Sequence, residues 1–264
     1  MKHAFSLVEL SIVLVILGLL TGGILGGQSL IRTAELRAVS TEYDRYTTAI
    51  STFRDKYFAL PGDMTNAQSF WTAAATCPGV AGTAAAGVCN GDGNGRVEPA
   101  SGTSNELFGS WEHLALAGLV EGNYTGNTSH AATAADPSST LGTNLPRSKL
   151  SNAGWALYSL GTIPISDVNW FDSNYGNMFF FGGASANNLP LNPILKPEEA
   201  WNLDTKMDDG RPATGRILSS EQHGSAAGTG CTNAAASNSA SLASSTYSLN
   251  NQAISCILLV KTSY

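Results

Sequence analysis

The sequence predicts an α+β fold in which one long N-terminal helix packs against a β-sheet. Three observations lead to this prediction. A long apolar segment near the N-terminus continues into a segment with apolar residues at helical spacing. The rest of the chain combines short aromatic strand patterns with many turn residues, among them 28 glycines. With 43% hydrophobic residues among 264, the chain can also bury a substantial core.

The apolar helix is long enough to cross a membrane. The 22 residues from Leu10 to Ile31 contain no charged side chain and span about 33 Å as a helix, against about 30 Å for a bilayer core. Glu9 stands at the edge of this run, where an acid is costly to insert into a bilayer. A secretory signal peptide has a shorter apolar core, with its small-residue cleavage site after that core. Here the small residue, Ala4, comes before the apolar run.

The residues around Glu9 resemble the leader of type IV prepilins and type II secretion pseudopilins. The sequence AFSLVEL, residues 4–10, repeats the order of that motif: a small residue, then Phe, then Ser-Leu-Val-Glu-Leu. The resemblance covers residues 1–60. It implies cleavage between Ala4 and Phe5 by a prepilin peptidase, followed by N-methylation of Phe5. Ala4 departs from the family pattern, which usually has Gly before the cleavage site.

The resemblance also implies a role for Glu9 in assembly. After cleavage, Glu9 is one helical turn from the new amine of Phe5. A carboxylate in a low-dielectric bundle needs a cation, and the family supplies the N-terminal amine of a neighbouring subunit. The alternative interpretation places Glu9 at the membrane interface, where its side chain reaches water.

Glycines at four-residue spacing in the same helix predict close helix packing. Gly18, Gly22 and Gly26 form one row, and Gly23 and Gly27 form another. Small residues let helix backbones approach closely, although each Gly weakens the helix by roughly 1 kcal/mol. The resemblance implies that the helix unwinds locally around these glycines on assembly. A lipid-facing anchor that tolerates its glycines is the other interpretation.

The helix is expected to continue as an amphipathic segment over residues 32–60. Apolar residues recur there at alternating spacings of three and four, with charged residues between them. We expect this stripe to pack against the sheet; it consists of Val39, Tyr43, Tyr46, Ile50, Phe53 and Tyr57. Pro61 and Gly62 predict the end of the helix.

Four cysteines predict two disulfides and an oxidising compartment. Cys77 pairs in sequence with Cys89, and Cys231 with Cys256, without the CxxC spacing of zinc or thioredoxin-like sites. The second pair encloses most of a Gly-, Ala-, Ser-, Thr- and Asn-rich stretch at residues 224–248, which we expect to be a tethered surface loop. Four free thiols in a cytosolic protein are the alternative.

Residues 90–98, NGDGNGRVE, match the first half of a calcium-binding loop. Oxygen-bearing side chains alternate along it, a Gly allows the sharp turn and an apolar residue follows. The predicted ligands are Asn90, Asp92, Asn94, the backbone carbonyl of Arg96, and Glu98. Ser101 replaces the usual bidentate Glu, so Glu98, Glu106 or Glu112 would complete the shell. An ordinary turn is the alternative, because Asn-Gly and Asp-Gly steps form turns readily.

The rest of the head predicts two short helices and several strands. Helical patterns occupy residues 105–121 and 197–207, and His113 in the first of them is expected to be a surface or capping residue. Strand patterns occupy residues 155–161, 168–171, 177–183 and 254–260. Asp204, Asp208 and Asp209 offer a second cation site or, more simply, a solvated turn.

Charge and motifs favour a structural or binding protein over an enzyme. The chain has 14 Lys and Arg residues against 20 Asp and Glu residues, without a cluster of five basic residues, so nucleic acid is not expected as the main partner. The sequence contains no nucleophile elbow, HExxH motif, P-loop or dinucleotide fingerprint.

The family resemblance leads to one functional hypothesis. It implies a subunit of a type IV pilus or pseudopilus-like filament, with a leader at 1–4, a filament-core helix at 5–31, its amphipathic continuation at 32–60 and an antiparallel pilin-like head at 61–264. The subunit would rest as a single-pass protein in a bacterial inner membrane, then join a cell-surface or periplasm-spanning filament. Its partners would be copies of itself or other pilins, the prepilin peptidase, an assembly platform protein and an ATPase.

Two hypotheses from other classes stay open. One is a membrane-tethered extracellular binding module, such as a calcium-dependent adhesin or a carbohydrate binder, that does not polymerise. The other is an exported hydrolase. The cofactor expectation is limited to Ca²⁺, and the sequence does not separate a major pilin, a minor pilin and a pseudopilin.

Overall fold

Three α-helices, one short 3₁₀-helix at Ala67–Ser69 and four β-strands form the regular structure of the described residues. The computed structural model describes residues 7–74, 77, 87–98, 106–126, 139–163, 170–171, 173–185, 189–220, 230–233 and 244–264. In chain order the elements are α1 (Leu7–Tyr57), α2 (Glu106–Leu116), β1 (Ala153–Ile163), β2 (Ser173–Gly183), α3 (Pro197–Met207), β3 (Ile217–Ser220) and β4 (Ile257–Lys261). The predicted α+β class is confirmed.

Helix α1 is a single helix of 51 residues. Its apolar first half is exposed, whereas five of the six predicted stripe residues in its second half are buried. The sixth, Tyr57, is half-buried and packs against the core. The helix ends there because Phe58 takes a positive φ of 55° while its N–H still donates to the carbonyl of Arg54. This end comes before Pro61, the predicted stop.

The four strands form one antiparallel sheet in the order β1-β2-β4-β3. Alternate residues of β2 point to opposite faces, as the pleat requires. The Phe179 ring contacts Tyr43 of α1 at 5.8 Å between ring centroids, and the Phe180 ring contacts Trp170 at 5.8 Å. Both faces of the central strand are therefore covered by aromatic side chains.

An aromatic cluster joins α1, α2 and the sheet. The Tyr46 ring lies edge-on to Trp111 of α2, 4.9 Å away between centroids, and edge-on to Trp155 of β1 at 5.9 Å. Edge-to-face pairs add about 0.5–1.5 kcal/mol beyond the area that they bury. This cluster sets the position of the head relative to α1.

Several elements differ from the sequence prediction: β1 and β2 are longer than predicted, and β4 begins at Ile257 rather than at residue 254. Two further differences have local reasons. Helix α2 ends at Leu116, before Gly122, because Gly118 takes a φ of 73° that stops the helix. Of the predicted strand at 168–171, the described residues Trp170 and Phe171 are buried but lie outside any strand. Their apolar character serves to cover the sheet rather than to extend it.

Candidate functional site

Within the described part of the chain, the largest exposed apolar surface is the first half of α1, residues 7–31, which we call the apolar segment. Its large side chains range in exposure from 50% at Ile16 to 85% at Leu7. An 18-residue window of the helix has a mean hydropathy of 2.4 with no residue buried, so α1 is long and apolar enough to span a membrane. Each Leu, Ile or Val covered there gains roughly 1.5–3 kcal/mol. The segment therefore favours lipid or another apolar surface over water.

Glu9 and the glycine rows lie on this apolar segment. Glu9 occupies the first turn of α1 and is exposed, while Ala4 and Phe5 lie outside the described residues. A Cβ atom added to the five glycines would meet nothing within 4 Å beyond the neighbouring helix backbone; they are Gly18, Gly22, Gly23, Gly26 and Gly27. The helix is continuous across them. The two rows thus leave space for a second backbone to approach.

Arg32, the first charged residue after the apolar segment, fastens the head to α1. Its Nε and Nη2 atoms donate to the two carboxylate oxygens of Glu199 in α3, both at 2.7 Å, and Nη2 also donates to the carbonyl of Ile194 at 2.9 Å. Although burial acts in the opposite direction, the hydrogen bonds from Arg32 lower the pKa of Glu199. Sequence reasoning gave Arg32 no such partner, since 167 positions separate the pair.

Glu42 makes a second attachment, one that sequence reasoning missed. Its carboxylate accepts hydrogen bonds from Ser148 Oγ at 2.6 Å, Lys149 N–H at 2.8 Å and Trp155 Nε1 at 2.8 Å. The residue is buried, as are Val39 three positions before it and Tyr46 four positions after it on the same face of α1. The sequence did offer one signal for the burial of Glu42: it lies three residues after Val39, a member of the predicted stripe.

The predicted calcium loop packs against Asp63, a residue outside the predicted set. Carboxylate oxygens of Asp63, Asp92 and Glu106 lie within 4.8 Å of one another, and we call these three residues the acidic cluster. Gly91 permits the approach, because a Cβ atom there would lie 2.4 Å from Asp63 Cα. Asp63 follows the turn after α1, so only the tertiary fold brings it to the loop.

Contacts within the loop and with Gln68 already occupy part of the predicted ligand set. Asn90 accepts the N–H of Gln68 at 2.9 Å. Asn94 donates to Asp92 Oδ2 at 2.9 Å. The Glu98 carboxylate contacts the Arg96 guanidinium at 2.8 Å. Of the five predicted side chains or carbonyls, only the Asp92 carboxylate belongs to the acidic cluster.

Burial of the acidic cluster shifts its carboxyl groups toward the protonated form. Burial raises the pKa of Glu106 to about 7, although the N–H groups of Asp92 and Glu98 favour the charged form. Burial also raises the pKa of Asp63, against backbone hydrogen bonds from Gly95 and Gly93. Three oxygen donors at this spacing have the chemistry of a Ca²⁺ site, for which carboxylates are preferred ligands. A divalent cation would favour the ionised forms that burial penalises.

The second acidic turn serves local structure. Asp204 Oδ2 accepts a 2.6 Å hydrogen bond from buried Tyr247, and burial raises the pKa of Asp204 to about 7. Asp208 accepts the N–H groups of Arg216 and Ile217, and Asp209 accepts the Thr214 hydroxyl. Although Asp204, Asp208 and Asp209 also have oxygens within 4.8 Å of one another, their hydrogen bonds close the turn between α3 and β3.

His113 is a core residue, so its predicted place at the surface is wrong. It is fully buried, and its Nδ1 accepts the N–H of Gly62 at 3.0 Å. The ring stacks on Trp71 at 5.5 Å and on Phe53 at 6.2 Å. Burial lowers its pKa to about 4, so the imidazole is neutral at pH 7 and ties α2 to the turn after α1.

Both predicted disulfides are present. They join Cys77 to Cys89 and Cys231 to Cys256. Cys256 is fully buried and pairs with Leu195 across an isolated β-bridge. This disulfide therefore ties the segment at residues 230–233 to the start of β4, at the point where Cys256 pairs with Leu195.

Comparison with models of protein families, with curated proteins and with solved structures gave no match to this chain. Functional interpretation therefore rests on the residues and their geometry. The AFSLVEL motif and the exposed apolar segment are the two observations that point to a function.

Proposed function

We propose that this protein is a subunit of a type IV pilus or pseudopilus-like filament. The observation that carries the proposal is the exposed apolar segment, with Glu9 in its first turn and a prepilin-type motif around it. In a membrane this segment is covered by lipid. In a filament, copies of the same segment cover one another, and the glycine rows allow their backbones to approach closely.

Glu9 selects the incoming subunit in this proposal. Cleavage after Ala4 creates an amine on Phe5, and that amine is the cation for Glu9 of the neighbouring copy. Pairing the two charges offsets the cost of keeping a carboxylate in a low-dielectric bundle. The prepilin peptidase, the platform protein and the ATPase are separate proteins that process and assemble the subunit.

Replacement of Glu9 tests the proposal. Glu9→Ala should lower the amount of the subunit in sheared filaments at least tenfold, because the neighbouring amine loses its carboxylate. The variant should stay in the membrane fraction, because its segment is still apolar. Asp44→Ala, an exposed acid on the second half of α1, is the matched control and should incorporate normally. Unchanged incorporation of Glu9→Ala would overturn the proposal and favour a tethered binding module.

The mature N-terminus provides an independent measurement. Mass spectrometry of the protein from its native membrane should show a chain beginning at Phe5 with one added methyl group. A mature chain that keeps residues 1–4, or that begins beyond Ile31, would contradict filament assembly. Calcium binding by the acidic cluster stays a prediction within this proposal.

A further inference from the structure

The exposed large apolar side chains of the described head lie in two separate groups. The first group lies beyond the C-terminal end of α1 and consists of Phe58, Phe70 and Leu116. The Phe70 ring contacts Tyr57 at the end of α1, and Phe70 and Leu116 line the same cavity. The second group is Trp201 on α3, at 37% exposure, with Leu249 at 44% and Ile254 at 57%. We call the second group the basal patch.

Hydrogen bonds place Ile254 at the level of Arg32. Arg32 Nη2 donates to the carbonyl of Ile194, and the next residue, Leu195, accepts the N–H of Ser255 at 2.9 Å. Ile254 precedes Ser255 directly. Because β4 runs away from this point toward the far end of α1, Ile254 lies at the end of the head where the apolar segment enters.

The other two members of the basal patch are tied to the same end. Trp201 lies two residues after Glu199, whose carboxylate binds Arg32, so it stands at nearly the same level along α3 but on another face of that helix. Leu249 belongs to a turn in which Asn251 Nδ2 donates to the Ser255 hydroxyl at 3.3 Å. All three residues therefore lie at the end of the head where the apolar segment begins.

Arg32 also marks the depth of a bilayer around α1. It is the first charged residue after the apolar run, so a membrane that covers residues 10–31 has its headgroups at Arg32. The headgroup region adds about 5–7 Å on each side of the hydrocarbon core. At this depth, lipid acyl chains can bury tryptophan and aliphatic side chains, while backbone groups stay hydrated among the headgroups.

The first group of exposed apolar side chains lies far from this depth. Phe58 is 26 residues beyond Arg32, and the intervening helix is about 38 Å long. One bilayer surface cannot reach both groups. The basal patch is thus the only described group of exposed apolar side chains in the head that the membrane of α1 can cover.

We propose that the basal patch seats the head in the bilayer interface while the subunit waits for assembly. This inference rests on the proposed function, which places the apolar segment in a membrane. The apolar run slightly exceeds the hydrocarbon core, so α1 can tilt, and interfacial anchors decide the direction of tilt. The basal patch tilts the head toward the lipid, and removal of a subunit from the membrane releases both the segment and the patch.

Tryptophan quenching by brominated lipid tests the basal patch in the full chain. The protein has five tryptophans; Trp111, Trp155 and Trp170 are buried, and Trp71 packs against Phe53 near the far end of α1. In phosphatidylcholine vesicles brominated near the headgroups, we expect the emission of Trp201 to be quenched. Trp201→Phe should lower the quenched amplitude at least threefold.

A pair of variants tests the contact without changing the probe. Ile254→Ser should reduce quenching of Trp201 at least twofold, because it removes apolar area from the basal patch. Leu116→Ser changes an exposed apolar residue of the distant group and should leave quenching unchanged. Equal quenching in wild type and Trp201→Phe, or equal effects of the two Ser variants, would overturn the inference.

A reporter inside the apolar segment separates this inference from the proposed function. In the Trp201→Phe background, L17W should be quenched by lipid brominated deep in the acyl chains. If L17W is not quenched, the segment does not span the bilayer and the proposed function fails with the inference. If L17W is quenched but wild-type Trp201 is not, only the basal-patch inference fails; water or a second copy then contacts the patch.

Discussion

At the scale of single residues, Glu42 shows how one buried carboxylate can join two elements. It stands on α1 and accepts three hydrogen bonds from the residues around the start of β1. Each donor would be left without its acceptor if the carboxylate were removed. A buried polar group without a hydrogen-bond partner costs about 1–3 kcal/mol. Removing the Glu42 carboxylate therefore lowers the free energy of unfolding mainly through the three donors that it leaves unsatisfied.

Glu42→Ala should therefore destabilise the head by about 2–4 kcal/mol. The matched variant Asp44→Ala changes an exposed acid two positions away and should leave the unfolding midpoint nearly unchanged. Thermal unfolding of the full chain in detergent, followed by tryptophan emission, measures both. Equal midpoints for the two variants would show that the three hydrogen bonds contribute nothing.

Asp92 offers the mildest test of calcium binding. Asp92→Asn keeps an oxygen for the Asn94 N–H, to which Oδ1 now binds at 3.0 Å, but removes one charge from the acidic cluster. We expect Ca²⁺ to raise the unfolding temperature of the wild type and to raise that of Asp92→Asn at least twofold less. Asp209→Asn, in the second acidic turn, is the control and should respond like the wild type. A wild type that does not respond to Ca²⁺ would contradict the prediction.

At the scale of elements, α1 combines two surfaces that demand different surroundings. Its second half packs Val39, Tyr46 and Phe53 into the head, whereas residues 7–31 are covered by nothing in the described chain. Both halves have the same backbone hydrogen bonds of an α-helix, so the helix continues without a break from one environment into the other. Arg32, with its bidentate contact to Glu199, stands where one environment ends and the other begins.

The two disulfides should contribute unequally to stability. Closing a 25-residue loop stabilises by about 3.5 kcal/mol in the chain-entropy model, and a 12-residue loop by about 3. The disulfide between Cys231 and Cys256 also fixes the buried start of β4, whereas Cys77 is only partly buried. Replacing this pair by Ser should lower the unfolding temperature more than replacing Cys77 and Cys89. The reverse order in a calorimetric comparison would contradict this prediction.

At the scale of the whole molecule, three carboxyl groups, two of them buried and one partly buried, link stability to pH. Burial raises the pKa of Glu106, Glu112 and Asp204 to about 7 each. The folded chain thus binds more protons than the unfolded chain between about pH 4 and 7, and stability falls as pH rises through that window. His113, whose pKa burial lowers to about 4, acts in the opposite direction but is one group against three.

The unfolding temperature should accordingly be higher at pH 5 than at pH 7.5 when a chelator is present. Addition of Ca²⁺ at pH 7.5 should recover part of the difference if the acidic cluster binds the ion, because the ion stabilises the charged carboxylates. Calorimetry of the full chain in detergent at both pH values, with chelator or with Ca²⁺, measures this. A midpoint that rises with pH in chelator would contradict the assigned burial of these groups.

Sequence periodicity and composition were sufficient for the elements that depend on local pattern. The stripe from Val39 to Phe53 predicted the buried face of α1, and the residues from Pro197 to Met207 predicted α3 with its bounds. The predicted disulfides also formed, since each pair is close in sequence. The end of α2 was less well predicted, because the left-handed conformation of Gly118 stops the helix. The segment at Trp170 was predicted as a strand, but its apolar residues pack on a sheet face without joining the sheet.

The sequence by itself determined the long helix, its apolar and amphipathic halves, and the prepilin-type motif, because each depends on the order and spacing of neighbouring residues. Only the tertiary structure decided which distant groups meet. It joined Arg32 to Glu199, brought Asp63 to Asp92 and buried His113. Such contacts depend on how the chain folds back on itself. No local pattern encodes which distant residue will become the partner, whether it lies in the next loop, as for Asp63 and Asp92, or 167 positions away, as for Arg32 and Glu199.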